Sequence, residues 1–158
     1  MKILKIISDT IVDGPHLRTS IYVSGCRHYC KNCHNPESWN FDAGVDWEID
    51  ELAEKILSFD NNYLTISGGD PMYSAKDCYE LCKLLKQKNP KMDIWAYTGF
   101  TLEELEKSDN KDITNFLNVL DGLVDGPFIE SLKTKELRFR GSSNQRIFVK
   151  ENENWKLW

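Results

Sequence analysis

Apolar residues fall in short, β-branched runs separated by longer segments in which they recur every three or four positions. Residues 2–12 are rich in Ile and read as a strand, closed by the turn residues Asp13-Gly14-Pro15. Ile21-Tyr22-Val23 reads as a second, short strand that delivers the chain to Ser24-Gly25. Asp46 or Asp50 can cap a helix running to about Ser58, with Leu52, Ala53, Ile56 and Leu57 as its apolar stripe. Further strands are expected at 63–67, 92–97 and 119–124. Helices are expected at 75–88, from a Thr101 cap through Leu105 with Glu103 and Glu104 in its first turn, and near 113–118. Strand and helix alternate through most of the chain, which predicts an α/β fold with a mainly parallel sheet and crossover helices. Beyond Ser131 the rhythm changes: 136–140 and 146–149 read as edge strands around a turn at Gly141-Ser142-Ser143-Asn144.

Length narrows this picture. The 158 residues suffice for one domain, 1–158, and fall short of the roughly 250 of a closed (β/α)8 barrel, so a barrel-like chain of this size is incomplete. No run of about 18 apolar residues occurs. The first nine residues lack the long apolar region and cleavage site of a signal peptide. The expected location is therefore the cytoplasm, with no membrane partner, where thiols stay reduced and favour metal ligation over disulfides. A net charge of -5 argues against a nucleic-acid partner. The charge is uneven, however: residues 131–150 hold Lys133, Lys135, Arg138, Arg140, Arg146 and Lys150 against a single acid, Glu136. Such a stretch is either a solvated edge or a docking surface for an anionic ligand or partner.

The chemistry concentrates in Cys26-Arg27-His28-Tyr29-Cys30-Lys31-Asn32-Cys33, followed by His34-Asn35-Pro36-Glu37. Three thiols at spacings of four and three can turn inward from one loop, and thiolates suit iron-sulfur clusters, zinc and monovalent copper. A structural zinc takes four closed ligands, whereas three cysteines on a 4Fe-4S cluster leave one iron open to an outside ligand. A zinc knuckle completed by His28 or His34 is the alternative, and a non-catalytic zinc-binding interaction module its functional form. Gly68-Gly69-Asp70-Pro71 follows a strand and precedes a helix; its glycines permit close backbone approach, and Asp70 can accept from an ammonium group. Trp95-Ala96-Tyr97-Thr98-Gly99 closes another strand. Cys78 and Cys82, four apart and in register with Leu81 and Leu85, read as core residues.

The C-x3-C-x2-C loop resembles the signature of radical S-adenosylmethionine (SAM) enzymes, although Asn32 stands where that superfamily often has an aromatic residue. Asp13-Gly14-Pro15-His16-Leu17-Arg18 resembles the D/N-G-P-G-x-R element of glycyl-radical activases, with His16 in place of a glycine. Val124-Asp125-Gly126-Pro127-Phe128-Ile129-Glu130 and Arg138-Phe139-Arg140-Gly141-Ser142-Ser143-Asn144-Gln145-Arg146 are similar to the endings of the activases that serve the anaerobic ribonucleoside-triphosphate reductase. The resemblance implies an incomplete barrel of the radical SAM type. It further implies a 4Fe-4S cluster on Cys26, Cys30 and Cys33, with SAM on the open iron. Asn32 and His34, flanking Cys33, are then expected against the adenine, Gly68, Gly69 and Asp70 against the methionine part, and Thr98 near the ribose. One electron from an external donor such as flavodoxin would release a 5'-deoxyadenosyl radical, which takes hydrogen from a backbone glycine of the reductase. Arg140, Gln145 and Arg146 are expected to bind the partner. No catalytic side chain beyond these ligands is implied, and pyruvate formate-lyase or another glycyl-radical enzyme is the alternative substrate.

Overall fold

A computed structural model describes residues 1–158. The chain forms β1 (Lys2–Thr10), β2 (Arg18–Val23), β3 (Val45–Asp46), α1 (Ile49–Leu57), β4 (Tyr63–Gly68), α2 (Ala75–Lys88), β5 (Asp93–Tyr97), α3 (Leu102–Glu106), α4 (Lys111–Val119), β6 (Gly122–Asp125), β7 (Arg146–Glu151) and β8 (Asn154–Leu157). All eight strands lie in one sheet, ordered β3-β1-β2-β4-β5-β6-β7-β8. The centre, β2-β4-β5-β6, is parallel. The flanking pairs β3-β1, β1-β2, β6-β7 and β7-β8 are antiparallel. The expected parallel sheet is thus a mixed one. Crossover helices supply its middle; short returns at 11–17 and 152–153 and a long one at 126–145 supply the margins.

Alternation along the central strands separates two faces. Ile21, Leu64, Ile66, Ile94, Ala96 and Leu123 point to one face and merge with the apolar stripes of the helices in a 24-residue core. There α2 packs between α1 and α4. Cys78 and Cys82 lie fully buried in this core, as their spacing suggested. Trp95, Val124 and Ile147 form a smaller cluster on the opposite face, packed by Tyr97, Phe139 and Val149. No helix is long and apolar enough to cross a membrane.

Several boundaries differ from the sequence reading. Glu48, not Asp46 or Asp50, precedes α1; Asp46 lies in β3, where its carboxylate accepts from the Met1 ammonium at 3.0 Å. Thr101 closes a capping box with Glu104 as expected. Val119 completes α4, so β6 begins at Gly122. Residues 136–140 form turns instead of a strand, and the partner of β7 is β8.

Arg18, at the start of β2, is completely buried beneath the sheet centre. Its guanidinium donates to Thr65 Oγ1 (2.8 Å), the Leu64 carbonyl (2.7 Å), the Pro15 carbonyl (3.1 Å) and Asp93 Oδ1 (2.8 Å). Burial lowers its pKa, and Asp93 opposes that effect. The preceding His16 sits in the left-handed region at φ 66, which accounts for a glycine at this place in related motifs. Its ring stacks on Tyr63 at 4.4 Å.

Candidate metal centre

The cysteine loop leaves the carboxyl end of β2, the end at which parallel α/β folds place their chemistry. Its first residues are held from both sides. Gly25 N–H donates to the Ser38 carbonyl (2.7 Å), and the Gly25 carbonyl accepts from Asp70 N–H (2.9 Å). At the end of β4, Gly69 N–H donates to the Val23 carbonyl (2.7 Å). A Cβ at Gly69 would lie 2.5 Å from the Gly25 carbonyl oxygen, so the two strand ends meet backbone to backbone. Gly68, at φ 97, makes the left-handed turn into this contact.

Between Arg27 and Cys33 the chain makes a tight excursion, with Tyr29 (φ 48) and Asn32 (φ 55) left-handed and Cys33 N–H donating to the Cys30 carbonyl at 3.0 Å. All five cysteines are free thiols; Cys26 is buried, and Cys30 and Cys33 are half-buried. Burial pushes the Cys26 thiol up to about 11, and the nearby Asp70 carboxylate and the other two cysteines act in the same direction. No three His, Cys, Asp or Glu side chains converge closely enough to hold a single metal ion. The donor set, three soft sulfurs on one loop, fits a 4Fe-4S cluster in kind. His28, one candidate for a fourth zinc ligand, is already engaged by Asp70.

The Asp70 carboxylate is 1% exposed and surrounded by donors. Its Oδ2 lies 2.6 Å from His28 Nε2 and accepts from Thr98 Oγ1 (2.9 Å) and Gly99 N–H (2.9 Å), while Oδ1 accepts from Met72 N–H (2.9 Å). Asp70 is thus bonded within the chain through both oxygens, and the Thr98 hydroxyl, which also accepts from Phe100 N–H at 3.1 Å, is turned to it. Asn32, expected against an adenine, donates to Glu130, which also pairs with Lys31 at 3.4 Å.

On the sheet face opposite the helices lies a cavity of about 1090 Å³. Tyr22, Ser67 and Tyr97 contribute from the strands, and His34 and Asn35 from the residues directly after Cys33. The segment 134–141 forms the opposite wall. Tyr22 donates to Asp13 Oδ2 (2.6 Å) and Tyr97 to the Phe139 carbonyl (2.8 Å). Burial raises both phenol pKa values, so the two hydroxyls stay protonated donors.

The three expected partner residues separate. Gln145 Oε1 accepts from Gly141 N–H (2.9 Å) and Ser142 N–H (3.2 Å), and its Nε2 donates to the Gly126 carbonyl (3.1 Å). Arg146 pairs with Glu103 at 2.6 Å and with buried Asp125 at 2.5 Å, holding Glu103 down at about 2. Both residues are internal braces rather than open donors. Arg140 lines the cavity, donates Nη1 to the Gln145 carbonyl (3.1 Å) and leaves its buried Nε without a partner. The sequence reading passed over Tyr22 and Asp13 as cavity residues. The alternation of Ile21-Tyr22-Val23 already places Tyr22 on the face opposite the core.

Residues 12–148 match the family of the 4Fe-4S single cluster domain, which sets the class as an iron-sulfur protein with one cluster. The chain is 34% identical over 155 residues to the anaerobic ribonucleoside-triphosphate reductase-activating protein of Haemophilus influenzae, covering 93% of this chain and 97% of the relative. Proteins of the same name from Vibrio cholerae (37% over 145 residues; 87% and 90% covered) and Enterobacteria phage T4 (32% over 150 residues; 92% of both) are also similar. The chain belongs to the family of anaerobic ribonucleoside-triphosphate reductase-activating proteins.

Proposed function

We propose that the protein activates an anaerobic ribonucleotide reductase, with Cys26, Cys30 and Cys33 holding the 4Fe-4S cluster and SAM as the second cofactor. When bound, cluster and SAM supply a one-electron cleavage, fed by a donor such as flavodoxin, whose 5'-deoxyadenosyl product takes hydrogen from a backbone glycine of the reductase. The chain's own residues bind, orient and shield. The backbone at Gly68 and Gly69, packed against Val23 and Gly25, fixes the end of β4 at which we place the methionine part. His34 and Asn35 line the way from Cys33 into the cavity. The protonated Tyr22 and Tyr97 hydroxyls add no charge to the floor, and Tyr22 donates to the Asp13 carboxylate there. We read the open sheet face as the inside of an incomplete (β/α) barrel.

One observation carries this reading. A three-cysteine loop stands beside a cavity of about 1090 Å³. That lies at the upper end of the roughly 300–1,000 Å³ typical of small-molecule sites and suits a cofactor of the size of SAM. Lys135 and Arg138, on the covering wall, are the side chains we assign to the partner, because neither is held by an ion pair within the chain.

The test is anaerobic. Protein reconstituted with iron and sulfide is mixed with reductant, SAM and the reductase, and a glycine-centred electron paramagnetic resonance (EPR) signal is expected. Cys30→Ala abolishes SAM cleavage. A colourless protein carrying one zinc, or a signal raised on pyruvate formate-lyase but not on the reductase, overturns the assignment.

A further inference from the structure

His28 stands midway between Cys26 and Cys30, in a stretch with little backbone bonding of its own. Arg27 and Tyr29, its neighbours, are exposed. The His28 side chain turns into the interior, at 17% exposure, while Arg27 lies over Phe41 and Tyr29 against Trp39 at the surface. It meets the buried Asp70 carboxylate at 2.6 Å. Its ring lies edge-on to Phe100, with centroids 4.6 Å apart, and covers Gly99 so closely that a Cβ there would come within 2.6 Å of the imidazole Cδ2. Asp70 in turn binds Thr98 Oγ1 and Gly99 N–H at the end of β5 and Met72 N–H beyond β4. The imidazole is therefore a peg, and the ends of β4 and β5 form its slot.

We propose that His28 is a positioning residue: seated on Asp70 and against Gly99, it pins the middle of the Cys26–Cys30 span and so sets where these two thiols stand. Cys33 has one hold of its own, Asn35 N–H, which reaches its sulfur at 3.5 Å, besides the turn that ties it to the Cys30 carbonyl. The role in cluster assembly rests on the cluster reading above; the pinning itself does not.

The pinning is read on the metal-free chain, by timed alkylation of the cysteines followed by mass spectrometry. His28→Leu fills space but gives the carboxylate no donor, and Cys26 and Cys30 are expected to label about tenfold faster, the effect of one buried hydrogen bond lost. Cys33, which keeps its Asn35 contact, is expected to change less than either. His28→Gln, which restores an N–H, returns the pattern toward that of the parent chain. Gly99→Ala drives the ring from its slot and behaves like His28→Leu. In a His28→Ala background the added methyl meets no imidazole, so Gly99→Ala then has no further effect. After reconstitution, the reduced cluster of His28→Leu is expected to show shifted EPR g-values. A folded His28→Leu chain with unchanged labelling, or Gly99→Ala equally harmful with and without the imidazole, overturns the proposal. If the parent chain takes up no iron while the labelling pattern holds, the cluster reading fails and the pinning stands.

Discussion

Gly69 has one atom's breadth in which to exist. Its Cβ position falls on the Gly25 carbonyl, and because that obstacle is backbone, no rotamer change relieves it. Gly69→Ala is expected to cost about 2 kcal/mol, as overpacking does, read as a lower midpoint in urea, and to reduce iron uptake on reconstitution. Cys26 is the cysteine of the loop whose surroundings shift it. Its folded pKa is raised from 9 to about 11, so the unfolded thiol ionises first. The contribution of the buried neutral thiol is complete below pH 9 and is lost as pH rises through 11. At pH 8 Cys26 is expected to alkylate more slowly than Cys30 and Cys33, with the gap narrowing toward pH 11. At this scale the sequence located the residues better than their partners. Asp70 was legible as important because of the glycines before it. Its donors Thr98 and His28 lie 28 and 42 positions away, and no local spacing reports such a bond.

The elements that read clearly were those whose periodicity agrees with their burial. In α2 the positions of Cys78, Leu81, Cys82 and Leu85 are all buried, and the helix spans the expected 75–88. The margins read poorly. β3 has two residues, both exposed, and exists through pairing with β1. Residues 136–140 carry a strand-like alternation, but the side chains of 137–140 line a cavity wall, and the one bridge in this region joins Lys133 to Ser142. What joins the late elements is Asp125, buried at the end of β6. It accepts from Leu102 N–H at the start of α3 (2.7 Å) and from Arg146 at the start of β7. Arg146→Ala leaves that carboxylate in the interior short of its cation. The expected loss is about 3 kcal/mol in chemical denaturation. Arg146→Lys recovers part of it, since one ammonium cannot span Asp125 and Glu103 as the guanidinium does.

At the scale of the molecule, the sheet has one face committed to packing and one left for a cavity. That division was legible in the strand alternation, but the mixed sense of the sheet was not: Asp13-Gly14-Pro15 marks the return from β1 to β2, whereas nothing in the long segment 126–145 reports that β7 runs back against β6. The chain is acidic overall, yet the cavity wall carries Lys135, Arg138 and Arg140. Arg138→Glu is expected to slow association with the reductase about fivefold at low salt and to flatten the salt dependence, measured by stopped-flow or surface-based binding.

Arg18 has a consequence of a different kind, in how the chain assembles. Its cation is dehydrated, and the groups that compensate it come from β4 and β5 as well as from the turn before β2. A pairing that lacked β4 or β5 would leave that cation short of acceptors away from water. A half-built sheet is therefore expected to be costly, and the three strands to unfold in one cooperative transition, read as coincident denaturation curves by fluorescence and circular dichroism.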